Sequence, residues 1–265
     1  MYEILKKEKL AEDTYLMNIL APEVAKKAQA GNFIILRIDE IGERIPLTIA
    51  DFDKKTITLV FLVAGKTTEQ MSKLRKGDFL LDFVGPLGNK SEIDEFGTVC
   101  LVGGGLGIAP IYTIASALRK KNRIITIIGA KTKKHLFWQD RFKSISNELI
   151  ICTDDGSYGK KGFVTNALKE LMENKLINRV IAIGPPIMMK SVSDLTRDRT
   201  RTVVSLNPIM VDGMGMCGCC RVVVDNKVKF ACVDGPEFDG HKVDWKELMD
   251  RNKSYFCEEK SCYKK

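Results

Sequence analysis

The chain has 265 residues, 45% hydrophobic and 29% charged, with a formal net charge of +8; this is the balance of a water-soluble globular protein long enough for two compact domains and a small appended module. Met1-Tyr2-Glu3-Ile4-Leu5-Lys6-Lys7 carries charge where a signal peptide needs an apolar core, and no apolar run is long enough to cross a bilayer, so a cytoplasmic protein without membrane insertion is expected. The basic clusters Arg119-Lys120-Lys121-Asn122-Arg123 and Lys131-Thr132-Lys133-Lys134 are short and not interleaved with aromatics, which argues against a nucleic-acid module and leaves solvated surface, nucleotide phosphates or an acidic partner.

Residues 1–96 read as β. Runs 32–38, 56–63 and 79–84 are rich in branched and aromatic residues and are separated by Gly/Asp/Lys turn signals, which predicts a small barrel or sandwich. Residues 71–76 fit a single helical turn. The pattern changes at Gly97. A strand at 98–102 leads into Gly103-Gly104-Gly105-Leu106-Gly107-Ile108-Ala109-Pro110, a helix is expected over 109–121, and a strand over 123–128. A strand at 149–153, a helix near 164–174, a strand at 180–183, a helix after Pro186 and a strand near 202–205 complete the alternation. That spacing implies right-handed βαβ units and a parallel sheet over 97–206.

Glycines directly after a strand and at the mouth of a helix suit a phosphate-binding turn, because backbone can approach the ligand and the helix N-terminus carries partial positive charge. A tight strand–helix connection is the plainer explanation of that loop alone. Two further glycine turns follow parallel strands: Thr153-Asp154-Asp155-Gly156 and Gly184-Pro185-Pro186. Three such turns at strand carboxyl ends, where open α/β sheets bind ligands, strengthen the nucleotide reading.

Residues 207–265 hold the densest chemistry. Four of the eight cysteines fall between 217 and 232. Asp212, Cys217, Cys220 and Cys232 form D-x4-C-x2-C-x11-C, the plant-type iron–sulfur spacing with a carboxylate in place of the first thiolate. Gly213, Gly215 and Gly218 let backbone wrap closely around a cluster. A [2Fe–2S] cluster is expected, with structural zinc or simple buried thiols as alternatives; zinc more often takes two C-x2-C knuckles or a Cys/His pair. Cys219 offers an alternative ligand to Asp212. Cys100 and Cys152 lie in apolar strand-like runs, and Cys257 and Cys262 sit in a charged tail with no assigned role.

These motifs resemble the ferredoxin–NADP⁺ reductase superfamily along essentially the whole chain. The branch they are most similar to holds the electron-transfer subunits of dihydroorotate dehydrogenase and the small subunits of NADH-dependent ferredoxin–NADP⁺ oxidoreductase, also called sulfide dehydrogenase. Asp212 to Gly218, with Phe230-Ala231-Cys232-Val233-Asp234-Gly235-Pro236-Glu237-Phe238-Asp239-Gly240-His241, carries that resemblance. It implies an antiparallel FAD barrel at 1–96, a nicotinamide-nucleotide domain at 97–206 and an iron–sulfur module at 207–265. It further implies that Arg44, Pro46, Leu47 and Thr48 serve FAD, with the Thr48 hydroxyl near N5 as the catalytic contact. Gly65, Thr67 and Thr68 would meet the pyrophosphate, although Thr67 stands where relatives have glycine and Leu62 where the dihydroorotate relative has arginine. Gly103, Gly104, Gly105, Gly107, Ile108, Ala109, Pro110, Asp154, Asp155, Gly184, Pro185 and Pro186 would serve the nicotinamide nucleotide. Lys131, Lys133 and Lys134 suit the 2′-phosphate of NADP(H), whereas the resemblance implies NAD(H).

The implied activity is a relay from NADH through FAD and [2Fe–2S] to a larger flavin and [4Fe–4S] subunit in a heterodimer, coupling NADH, NADPH and ferredoxin by electron bifurcation. With only two histidines, the chain fits a mechanism that uses no histidine base. Reductase subunits for dihydroorotate or sulfide/polysulfide enzymes form the next alternative, and a non-catalytic redox sensor forms one of another class.

Overall fold

The computed structural model describes residues 1–254; Cys257 and Cys262 lie outside the described residues. The first sheet has seven antiparallel strands: β1 (Tyr2–Ala11), β2 (Thr14–Leu20), β3 (Phe33–Arg37), β4 (Ile45–Phe52), β5 (Thr56–Leu62), β6 (Phe79–Leu80) and β7 (Asp82–Leu87), in spatial order 6-1-2-5-4-3-7. The end strands β6 and β7 are separated only by Leu81, whose amide donates to the carbonyls of Arg37 and Ile38, each at 3.1 Å. That corner turns the sheet into a near-closed barrel and splits the expected strand 79–84 in two. Ile4, Met17, Ile34, Leu36, Leu59 and Phe61 fill its interior.

Two helices attach to the barrel: α1 (Pro22–Ala25) and α2 (Lys66–Lys73). The latter begins before the expected turn at 71–76, because the Thr68 hydroxyl oxygen accepts from the amides of Ala64 and Gly65, both at 3.0 Å, and closes the first turn.

The second sheet contains parallel strands β8 (Thr98–Gly104), β9 (Arg123–Ala130), β10 (Glu148–Thr153), β11 (Lys160–Lys161), β12 (Arg179–Ile183) and β13 (Arg201–Ser205). Helices α3 (Ile108–Leu118), α4 (Gln139–Ile145), α5 (Val164–Asn174) and α6 (Pro186–Thr196) alternate with them. Spatial order is 11-10-9-8-12-13-16, where β16 (Glu237–Asp239) is an antiparallel addition from the C-terminal module. Strand order reverses between β8 and β12, so the crevice rule for open α/β sheets points to the carboxyl ends of those two strands. Helix α3 starts slightly before the expected residue 109, and Pro110 sits in its first turn, where a missing N–H costs no hydrogen bond.

The C-terminal module adds a hairpin of β14 (Arg221–Val224) and β15 (Lys227–Phe230), then β16 and α7 (Trp245–Arg251). It packs on the barrel: Met210, Cys220, Ala231 and Cys232 share a core with Phe33 and Ile35 of β3. Arg141 of α4 ties the parallel-sheet domain to the barrel, pairing with Asp51 of β4 while its guanidinium lies 4.0 Å and 4.3 Å from the ring centres of Tyr112 and Trp138. Among the described residues no helix is long and apolar enough to cross a membrane.

Candidate functional site

Barrel, parallel-sheet domain and C-terminal module meet at one cavity of about 540 Å³, a size typical of ligand sites. Pro46, Leu47 and Thr48 of β4 line it together with Gly104, Gly105 and Gly107 from the end of β8, Ala109 and Pro110 of α3, and Gly184 and Pro185 after β12. The crossing of α3 over β12 depends on Gly107: a Cβ there would lie 2.0 Å from the Ile183 carbonyl oxygen. Gly105 instead faces open space at φ +55°, the left-handed region that favours glycine. The glycine turn therefore exposes backbone to the cleft on one side and seals the sheet on the other.

The other expected nucleotide residues, Gly103, Ile108, Asp154, Asp155 and Pro186, do not line this cavity. Gly103 is enclosed by Ile108 and Ile111, and Ile108 is a fully buried core residue. Pro186 opens α6. In the turn after β10, the Asp154 amide donates to the Ala130 carbonyl at 3.1 Å. The Asp155 carboxylate accepts from the Ser157 hydroxyl at 2.7 Å and amide at 2.9 Å, and the hydroxyl bond, followed by the amide bond, holds its pKa below the usual carboxylate value. Lys131 lines the cavity, whereas Lys133 lies over the Tyr158 ring at 5.3 Å.

On the barrel side, Arg44 is exposed with its guanidinium 4.0 Å from Asp82, whose carboxylate also takes Arg37 Nε at 2.7 Å. Gly65 precedes α2 and presents an open backbone. Thr67 is buried and donates to the Glu43 carboxylate at 2.7 Å, while the Thr68 hydroxyl donates to the Gly65 carbonyl at 2.9 Å. Both hydroxyls thus brace the turn around Gly65, whose Cα side is open.

Phe33 was not singled out from sequence, yet it joins the two halves of the site. It pairs across strands with Thr48, lines the cavity, and belongs to the core that holds Cys220 and Cys232. Gly213 explains how closely the cysteine loop sits: a Cβ there would meet Ile35 Cδ1 and Leu87 Cδ1, each at 2.7 Å.

The four expected cluster ligands fall into two pairs. Cys220 and Cys232 are buried with sulfurs 3.2 Å apart. Desolvation, then the hydrogen bond with Cys220, pushes the Cys232 thiol up to about 12. The Asp212 carboxylate accepts from the amides of Met214 (2.8 Å), Met216 (3.0 Å) and Cys217 (2.6 Å), and the Met214 bond leads in holding its pKa low despite some desolvation. Cys217 is exposed, and Cys219 lies beside it with its sulfur 3.9 Å from the Cys217 carbonyl. For Cys217, desolvation pushes the thiol up, but hydrogen bonds with Cys219 and Asp212 outweigh it and the net direction is down.

Among the described residues, no three His, Cys, Asp or Glu side chains surround one metal position. A [2Fe–2S] cluster has two irons and needs two ligands for each, so pairs are the relevant unit. Two thiolates on one tetrahedral metal with bonds of about 2.3 Å sit roughly 3.7 Å apart, which Cys220 and Cys232 reach with a small outward shift. The donor set of three thiols and one ionised carboxylate on a glycine-rich loop fits such a cluster. Cys232 could hold iron only as the thiolate, so a metal bound there would have to displace its proton.

A parallel sheet with its glycine turns at the strand-order reversal, a barrel sharing that cleft, and a thiol loop seated on the barrel define an electron-transfer oxidoreductase of the ferredoxin–NADP⁺ reductase fold. Residues 101–194 match the oxidoreductase NAD-binding domain, and residues 207–244 match the iron–sulfur cluster binding domain of dihydroorotate dehydrogenase B. The chain belongs to the family of dihydroorotate dehydrogenase B electron-transfer subunits. It is 50% identical over 267 residues to the electron-transfer subunit homolog of Thermotoga maritima, covering 99% of this chain and 94% of that one. It is 31% identical over 252 residues to the subunit of Bacillus pumilus, covering 91% and 96%. A solved structure described as an NADH-dependent reduced ferredoxin-NADP oxidoreductase, studied for flavin-based electron bifurcation, is similar at 49% identity and TM-score 0.95, covering 100% of this chain and 97% of that one.

Proposed function

We propose that this electron-transfer subunit moves electrons between NAD(H), FAD and a [2Fe–2S] cluster and hands them to a larger flavin and [4Fe–4S] subunit. The assembly is a cytoplasmic heterodimer, an electron-bifurcating NADH-dependent ferredoxin:NADP⁺ oxidoreductase, and ferredoxin is served through the complex. The observation that carries this reading is Phe33, one side chain common to the cavity beside Thr48 and to the core around Cys220 and Cys232. The chemistry supplied by bound FAD would be hydride exchange with the nicotinamide and one-electron transfer to the cluster.

The protein's own contribution is placement. Residues 1–96 hold FAD, with Arg44 and the Gly65 turn assigned to its phosphates and Pro46, Leu47 and Thr48 to its ring, where Thr48 supplies the orienting hydroxyl. Residues 97–206 hold the nicotinamide nucleotide: Gly104, Gly105 and Gly107 admit it, and Gly184 and Pro185 close on it. Residues 207–265 form the cluster module, in which Asp212 and Cys217 take one iron and Cys220 and Cys232 the other. The buried pair faces the barrel. Around the other pair, Val211, Met214, Met216 and Val233 are 43%, 55%, 84% and 45% exposed, an apolar surface suited to a partner subunit.

The test is reconstitution of the full chain with FAD, iron and sulfide, followed by NADH oxidation with ferricyanide and electron paramagnetic resonance (EPR) of the reduced cluster. No NADH oxidation, or no [2Fe–2S] signal, refutes the relay. Mass spectrometry of the co-purified native partner decides between the bifurcating complex and the dihydroorotate enzyme named for the family.

A further inference from the structure

Helix α7 ends at Arg251, and the sequence gives that arginine no motif to belong to. Its guanidinium Nη2 donates to the Cys219 carbonyl at 3.0 Å, while Nε faces Glu247 Oε1 at 3.6 Å, one helical turn earlier. The helix that carries it is well anchored. The Asp244 carboxylate accepts from the Glu247 amide at 3.0 Å, the Trp245 indole donates to the Gly240 carbonyl at 3.0 Å, and Trp245 and Leu248 are buried. The charge at the tip of Arg251 is therefore held in place and aimed at the cysteine loop.

The target of that bond is a peptide inside the ligand run, after Cys217 and immediately before Cys220. A trans peptide is planar, with its C=O and N–H pointing in opposite directions. Fixing the Cys219 carbonyl on Arg251 therefore turns the Cys220 amide away from α7. Cys220 is 1% exposed, and among the described residues its amide donates to no acceptor. A buried, oriented and unspent N–H beside a ligand sulfur is a group that stabilises added negative charge on a cluster, as is a nearby cation.

We propose that Arg251 is a positioning residue for the iron–sulfur centre: through the Cys219 carbonyl it sets the 219–220 peptide, and with its charge it raises the reduction potential of the cluster. This rests on the [2Fe–2S] reading of the loop. Glu247 acts in opposition, offsetting part of the guanidinium charge; its Oε2 is buried and, among the described residues, has no hydrogen-bond partner.

The experiment is an EPR-monitored redox titration of the full-length, cluster-loaded protein and its Arg251→Met, Arg251→Lys and Glu247→Gln variants, with iron, flavin and thermal stability measured alongside. Arg251→Met is expected to keep its iron and flavin while the one-electron reduction equilibrium falls about three- to tenfold, tenfold being about 59 mV. Arg251→Lys restores at least half of that loss, and Glu247→Gln shifts the equilibrium the other way. Wild-type potential and signal in a cluster-loaded Arg251→Met protein overturn the proposal. Should that variant lose its iron, Glu247→Gln decides, and a wild-type potential in that variant overturns it. A wild-type protein without a [2Fe–2S] signal instead overturns the cluster reading on which the proposal rests.

Discussion

Replacing Gly107 by alanine would put a Cβ 2.0 Å from the Ile183 carbonyl oxygen, 2.5 Å from its carbon and 2.8 Å from the Gly184 nitrogen. All three atoms are backbone at the end of β12, so no side chain can rotate out of the way. Ordinary contact begins near 3.4 Å, so the start of α3 and the end of β12 must part by more than about 1 Å. Overpacking of this kind costs about 1–3 kcal/mol against a typical total of about 5–15 kcal/mol, and the protein should stay folded. The displaced strand end, however, carries Gly184 and Pro185 of the cleft, and a shift of about 1 Å in a reacting geometry can cost about 100-fold. We therefore expect kcat/KM for NADH with ferricyanide to fall about 100-fold, with flavin content and the cluster signal unchanged. Gly77→Ala, in the turn before β6 and away from the cleft, is the control: it too meets open space at a positive φ, +90°, at a backbone cost of about 1–2 kcal/mol, and should lose less than about tenfold. Wild-type kcat/KM in Gly107→Ala, or equal loss in both variants, refutes the reasoning.

Phe33→Leu should leave NADH:ferricyanide activity near wild type but slow cluster reduction about tenfold, a barrier of about 1.4 kcal/mol, in stopped-flow absorbance; equal cluster-reduction rates would remove Phe33 from the route. Asp212→Cys should move the EPR spectrum and potential of the cluster and lower Tm by a few degrees, because three amides lose their acceptor; an unchanged spectrum would argue against carboxylate ligation and bring Cys219 forward. Glu237 takes the Ser91 hydroxyl at 2.5 Å, and burial raises its pKa above the ordinary 4.5. The folded state thus binds a proton that the unfolded chain has already lost, so the stability present below about pH 4.5 declines as pH rises through the raised pKa. Glu237→Gln should match wild type near pH 4 and melt about 2–4 °C higher near pH 8; parallel Tm curves would refute this.

What the sequence made legible was local. The expected helix 164–174 is α5, Val164–Asn174, because its apolar residues recur at helical spacing and Gly162 precedes it. The glycine turns fell at strand ends because turn chemistry is written in a few adjacent residues. Long-range pairing was not legible in the same way. Nothing near Glu237-Phe238-Asp239 says that it adds an antiparallel strand to β13, and nothing around Arg251 announces a bond to a carbonyl 32 positions away. Strand β1 passed unnoticed for another reason: Lys6, Lys7, Glu8 and Lys9 break up its apolar pattern, since its outward face is solvated.

Phe33-Ile34-Ile35-Leu36 did carry a signal beyond that of a strand. Successive side chains of a strand point to opposite faces, and a barrel strand with one face in solvent should alternate apolar and polar residues. This run does not alternate. Ile34 and Leu36 enter the barrel core, while Phe33 and Ile35 enter the separate core around Cys220 and Cys232. An unbroken apolar run in an otherwise half-solvated barrel therefore marks the strand that a second layer covers, and here that layer is the cysteine module. A register slip of one residue would exchange the two faces, removing Phe33 from both the cavity and the thiols. The register of β3 against β4, Phe33 opposite Thr48 and Ile35 opposite Pro46, is thus what sets the cavity wall of β4 beside the strand on which the cysteine loop packs, with a single aromatic ring between them.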